Sequence, residues 1–194
     1  MILVGLTGSI GMGKSTTAAM FARHGMPVHD SDACVHALYR GKAVPLIEAA
    51  FPGTTQQGAV DRTALGARIV GDASAFSQLE AIVHPLVREA EIAFRGRVRA
   101  AGKSACLLDI PLLFETGGNH RMDVVVVVTA APEIQRQRVL ARDGMTADRF
   151  EAILAKQVPD REKRKGAHFL IDTGRGFDAA ERQVVAVTRA LAGL

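Results

Sequence analysis

The chain has 194 residues, of which 48% are apolar, 23% charged and 5% aromatic, and its formal net charge is +4. That composition excludes a disordered tail or a fibre and fits one compact domain with small appendages, long enough to bury roughly 70% of its unfolded surface without a disulfide or structural metal. The two cysteines, Cys34 and Cys106, lack metal-ligand spacing, which suits a reducing cytoplasm, and the absence of a leader or a run of about 18 apolar residues argues against secretion and membrane insertion.

The charge is unevenly placed. From Ile134 to Lys165 the chain carries nine basic side chains (Arg136, Arg138, Arg142, Arg149, Lys156, Arg161, Lys163, Arg164 and Lys165) against five acidic ones. Without interleaved aromatic platforms, such a segment suits a compact polyanion better than a long nucleic acid, and the plainer alternative is a solvated helix face. No nucleic-acid or membrane partner is expected, and the oligomeric state is not legible.

In chain order, residues 2–7 (ILVGLT) predict a strand closed by a glycine-rich turn, and residues 16–24 a helix ending at Gly25. Residues 26–29 predict a second short strand, followed by a polar turn at Asp30, Ser31 and Asp32 and a helix through Arg40. Residues 43–101 read as mostly helical: a loop at Pro52 and Gly53, a helix capped by Asp61, a long pattern interrupted at His84 and Pro85, and no evident strand. The non-alternating runs 105–110 (ACLLDI) and 123–129 (DVVVVVT) predict strands covered on both faces. Pro132 opens a helix, Thr146 caps the next, residues 168–172 form a last strand, and a helix runs from about Asp178. Alternating strands and helices predict an α/β fold, a five-stranded doubly wound parallel sheet with a helical insertion. Ligands of such sheets gather beyond the carboxyl ends of the strands, where Gly8, Asp30, Asp109 and Thr129 emerge.

Between the first strand and helix, Gly8, Ser9, Ile10, Gly11, Met12, Gly13, Lys14 and Ser15 match GxxxxGKS, the phosphate-binding loop in its required context. The glycines let successive amide hydrogens face inward and the helix adds its positive end. Lys14 reaches the β and γ phosphates of ATP and Ser15 ligates magnesium. Gly8, Gly11, Met12, Gly13, Lys14, Ser15 and the following Thr16 are the candidate nucleotide contacts. A dinucleotide fold competes, because Asp30 and Asp32 lie 17 and 19 residues beyond Gly13, but the glycine order is wrong for it. A GTPase would need a guanine-reading NKxD-like segment, and none is present.

A small-molecule kinase needs a carboxylate near the acceptor hydroxyl. Asp32 and Asp30 are the candidates, sharing one face if the strand persists, and the alternative is helix capping by Asp32 or Ser31. Asp109 either holds magnesium through water or bonds loop amides, and His84 before Pro85 reads first as a packing histidine.

Taken together, GLTGSIGMGKST, HDSD ending at Asp32, the HP dipeptide at His84, LDIPLLFE from Leu108 to Glu115, and PEIQRQRVLARD resemble the dephospho-CoA kinase family over nearly the whole chain. The resemblance implies transfer of the ATP γ-phosphate to the ribose 3′-hydroxyl of dephospho-coenzyme A, in the cytoplasm. It also implies a P-loop kinase core (1–32 and 102–194), a helical acceptor-binding region at 33–101 and a small helical lid at 136–160. Asp32 would be the catalytic base and Lys14 and Ser15 the phosphate and metal contacts. His84, Arg88, Leu113 and Glu115 would belong to the acceptor pocket, and Arg138 and Arg142 would stabilise phosphate charge. One run departs from the family: its ADxxIDN reads AHFLIDT here, with His168 and Thr173 replacing the acid and the amide. Two other classes stay open, a P-loop kinase of another small hydroxyl acceptor and a nucleotide-dependent switch module.

Overall fold

The computed structural model describes residues 1–193. In chain order the elements are β1 (Ile2–Thr7), α1 (Lys14–Arg23), β2 (Val28–Asp30), α2 (Ser31–Leu38), α3 (Val44–Ala50), β3 (Thr55–Gln56), β4 (Ala59–Val60), α4 (Arg62–Ile69) and α5 (Ala73–Ala100). They continue with β5 (Ala105–Asp109), β6 (Val124–Thr129), α6 (Pro132–Leu140), α7 (Ala147–Leu154), α8 (Asp160–Lys165), β7 (Phe169–Asp172) and α9 (Phe177–Ala192). The chain forms two compact units, one made of residues 1–29 and the stretch from Val98 onward, the other of Asp30–Arg97.

The first unit holds a five-stranded sheet in the order β2-β5-β1-β6-β7. β1 pairs in parallel with β5 and with β6, and β6 with β7, so Thr7, Asp109, Thr129 and Asp172 end at one edge. This is the doubly wound α/β sheet expected from the unbroken apolar runs: β6 is buried at every position, and its β-branched valines fit a pleat covered on both faces. Its core joins Val4, Leu6, Val126 and Val128 of the sheet to Phe21 of α1 and Val184 of α9.

The second unit has its own core, in which Leu38, Ile47, Phe51, Leu65, Leu79 and Val83 are buried. Three sequence expectations fail around it. Asp30, Ser31 and Asp32 form no turn: Asp30 ends β2 and caps α2, its carboxylate accepting from Ala33 N at 2.9 Å, so Asp30 and Asp32 do not share a strand face. A β3–β4 hairpin stands where no strand was evident, turned by Gln57 and Gly58, both at positive φ (49° and 77°). Two such residues make the tight turn that matches strand twist, but glutamine is a weak advertisement for it compared with Asn-Gly. Third, α5 runs unbroken through Pro85. An interior proline costs about 3 kcal/mol, and burial of Leu79 and Val83, with Leu86 and Val87 packed against the same core, outweighs it at about 1.5–3 kcal/mol for each fully buried side chain.

Much of the basic excess is consumed inside the fold. Lys163 is fully buried against Glu115, with 2.8 Å between charged atoms. Arg136 pairs with Glu151 at 2.8 Å and covers the Phe150 ring, and Lys165 pairs with Glu162. The segment is therefore neither a uniform cationic surface nor a plain solvated face. Cys106 is buried, and no described helix is long and apolar enough to cross a membrane.

Because Phe21 carries the packing of α1 on the sheet with no exposure, Phe21→Ala is expected to cost about 3–5 kcal/mol and lower the Tm by about 10 °C. Val70→Ala, at a position 81% exposed, leaves it nearly unchanged; thermal unfolding of both variants checks the pair.

Candidate active site

The phosphate loop grows directly from the β1 terminus. A Cβ on Gly8 would come within 2.7 Å of the Val128 carbonyl oxygen, so only glycine lets the loop leave beside β6. Gly11 and Gly13 take positive φ (79° and 88°), where L side chains are strained. Gly13 is the residue preceding α1, and the helix has neither a side-chain cap nor an acidic residue in its first turn. Its first amide hydrogens thus add to the positive pole of the helix, a site for a phosphate oxygen. Ser15 and Thr16 are exposed beside it, while Met12 is buried and anchors the loop to the core.

Lys14 Nζ lies 2.6 Å from Asp109 Oδ1, the carboxylate at the end of β5 being 2% exposed. Burial of a charge is tolerable only when it is paired, and the Lys14 ammonium supplies that pairing for Asp109. Hard oxygen donors, the Ser15 hydroxyl and the Asp109 carboxylate, fit magnesium, which keeps several waters and reaches proteins largely through substrate phosphates.

The opposite wall comes from α6 and the β7–α9 loop. Arg138 donates from both terminal nitrogens to Thr173, at 2.9 Å to Oγ1 and 2.8 Å to the backbone oxygen. The Thr173 hydroxyl in turn donates to Met12 O at 2.8 Å. Arg142 is exposed one turn further along the chain. Gly11, Gly13, Thr16, Arg138, Arg142 and Phe177 line a cavity of about 300 Å³.

The departing residues of the AHFLIDT run have definite work. His168 Nδ1 accepts from Val125 N at 3.0 Å, and His168 N donates to Val125 O at 2.8 Å. Since a backbone N–H can only donate, the ring proton sits on Nε2. Thr173, as described, fastens the phosphate loop.

The remaining predicted residues fall in several places. In the first unit, Leu113 is fully buried and packs behind Gly5 and Gly118. It is a core side chain with no surface to offer an acceptor, which corrects its placement in the pocket lining. Glu115 Oε1 pairs with Lys163 and accepts from Val158 N at 2.9 Å, so it holds the segment after α7. In the second unit, His84 and Arg88 lie one turn apart on the exposed face of α5, and His84 Nε2 stands 3.8 Å from Glu80. His84 is thus no packing histidine. Asp32 is exposed in the first turn of α2, relieved of capping by Asp30.

Sequence reasoning missed a second cavity, of about 300 Å³, whose lining includes Asp32, His36, Tyr39, Arg62 and Leu65 of the second unit. Arg62 Nη1 lies 3.2 Å from His36 Nε2, and burial raises the Tyr39 phenol above its ordinary range although the Arg62 charge opposes it. No local motif announces this cavity, because its lining comes from three helices.

A sequence model of the dephospho-CoA kinase family matches residues 2–178. The dephospho-CoA kinase of Mesorhizobium japonicum is 64% identical over 193 residues, covering 100% of this chain and 98% of that protein. Among solved structures, TT1252 from Thermus thermophilus superposes with a TM-score of 0.85 at 35% identity, covering 100% and 97% of the two chains. The dephospho-CoA kinase of Campylobacter jejuni gives 0.67 at 24% identity over 97% and 96%, which speaks to the fold. With this match along almost its full length and a phosphate loop in working geometry, the chain is a P-loop kinase and belongs to the dephospho-CoA kinase family.

Proposed function

We propose that the enzyme transfers the γ-phosphate of ATP to the 3′-hydroxyl of dephospho-coenzyme A, giving coenzyme A and ADP. The observation that carries this reading is the uncapped start of α1, framed by Gly11 and Gly13, with Lys14 at its first position. Phosphoryl transfer asks little covalent chemistry of the protein, so charge placement and orientation do most of the catalysis. The loop amides grip the β-phosphate, and Lys14 exchanges Asp109 for phosphate oxygens. Ser15 and Asp109 would hold magnesium, which when bound would neutralise charge on the phosphates. Arg138 and Arg142, on the segment 136–160 acting as a lid, meet the charge that builds on the transferred group. The adenine of ATP occupies the cavity beside Phe177 and Thr173.

Asp32 accepts the proton of the acceptor hydroxyl. Its support is local: a carboxylate free of capping, exposed, and at the lining of a cavity that also presents Arg62 and Tyr39. His84 and Arg88 offer a donor pair for the acceptor's anionic part. Neither Cys34 nor Cys106 is in a disulfide, which agrees with a cytoplasmic setting.

An ADP-release assay with dephospho-coenzyme A as the acceptor tests the reaction. Turnover stimulated by that acceptor is expected; stimulation by other small alcohols instead, or by none, would replace the reading with the other two classes. Asp32→Asn is expected to lower kcat by about two orders of magnitude while ATP affinity, measured by calorimetry, stays nearly unchanged; a variant keeping most of its turnover removes Asp32 from the base role. Lys14→Ala should weaken ATP affinity and kcat together, because the ammonium contacts phosphate before and during transfer. It also removes one end of the Lys14–Asp109 ion pair, and denaturant titration is expected to read a lower stability.

A further inference from the structure

Two glutamines grip opposite sides of one residue of the phosphate loop. Gln135, in the first turn of α6 and 6% exposed, donates from Nε2 to Ile10 O at 2.7 Å. Ile10 N donates to Gln157 Oε1 at 3.1 Å. The backbone fixes which amide atom each presents, since an N–H can only donate and a carbonyl can only accept: Gln157 must offer oxygen and Gln135 must offer its NH₂.

The positions of the pair give the contacts their meaning. Ile10 immediately precedes Gly11, whose left-handed backbone starts the turn of the loop amides, and a Cβ on Gly11 would overlap Val139 of α6. Gln135 stands just before the stretch bearing Arg138 and Arg142, and Gln157 just after α7 closes it. The far root is itself fastened. Val158 N donates to Glu115 Oε1, which pairs with buried Lys163, and Thr129 Oγ1 donates to Asp160 Oδ2 at 2.8 Å. Both ends of the arginine-bearing stretch therefore report to a single residue of the loop. We infer that Gln135 and Gln157 are positioning residues, acting through Ile10 to couple the geometry of the phosphate loop to that of the segment carrying Arg138 and Arg142.

This inference rests on the kinase reading above, with 136–160 as a lid. It predicts a donor–acceptor polarity that bulk packing would not produce. Gln157→Met and Gln135→Met keep the side-chain length and lose the hydrogen bond; each is expected to lower kcat at least about tenfold, with the KM for dephospho-coenzyme A within twofold and the Tm within a few degrees. Gln157→Glu keeps an acceptor oxygen, so it recovers most of kcat while raising the KM for ATP through its added charge. Gln135→Glu sets oxygen against oxygen and recovers nothing. In the double methionine variant the losses do not multiply, since both act through one peptide.

A second readout needs no acceptor. ATP should slow tryptic cleavage after the exposed Arg142 and Arg149 in the unmodified protein, and this protection should be lost in either methionine variant. Full kcat in both methionine variants, equal behaviour of the two glutamate variants, or protection that persists in all of them overturns the coupling. Absence of any dephospho-coenzyme A-dependent turnover in the unmodified enzyme, with protection intact and lost in the variants, overturns the reaction assignment alone.

Discussion

A row of backbone amide hydrogens left without partners is an unstable thing to build, and the first unit is organised around keeping one open. An unfilled helix start attracts its own side chains, water or a neighbouring carboxylate. Here the first turn of α1 has no acid and no capping hydroxyl among the described residues, so no side chain caps it. What holds the loop open is a set of bonds to its other groups. The Met12 carbonyl takes the Thr173 hydroxyl, the Ile10 carbonyl takes Gln135, and Gly8 leans on the Val128 carbonyl too closely for any side chain. The loop is thus preorganised by its carbonyl side while most of its donor side remains available, the arrangement in which electrostatic stabilisation costs no rearrangement at the moment of transfer.

The same constraint decides where the positive charges go. Nine basic residues in one segment would repel one another if all faced solvent together. Lys163 is withdrawn into the interior against Glu115, Arg136 is occupied by Glu151 and Phe150, and Arg138 is bound to Thr173. Net charge says little about such a site. Arg138 is placed by Thr173, and Thr173 also ties the loop to the end of β7.

Whatever was legible in the sequence was local. The phosphate loop, the strand ends at Thr7, Asp109 and Thr129, and the Asp61 and Thr146 caps are written in contiguous residues, and the structure has them where the pattern put them. Expectations failed where a distant partner decided. Pro85 looked like a helix end, but the second core holds α5 together across it. Asp30 took the cap that seemed to belong to Asp32 or Ser31. Leu113 sits within a motif that reads as functional, yet its side chain is packed behind β1. Gln135 and Gln157 stand 22 positions apart along the chain and bear no recognised motif, so only folding could reveal that they meet at Ile10.

The AHFLIDT run shows how a family pattern can change its letters and keep its physics. The position taken by His168 requires an acceptor for Val125 N, which a carboxylate supplies and an imidazole nitrogen supplies equally well once its proton sits on the other nitrogen. The position taken by Thr173 requires one group that donates to the Met12 carbonyl and accepts from Arg138; an amide does this with two atoms and a hydroxyl with one. Because the threonine is shorter and β-branched, its rotamer is stiffer than an asparagine's, and its methyl lies 3.3 Å from where a Cβ of Gly13 would stand. A side chain at position 13 would therefore press on Thr173, which would have to give by a few tenths of an ångström, in addition to the strain of the backbone's positive φ.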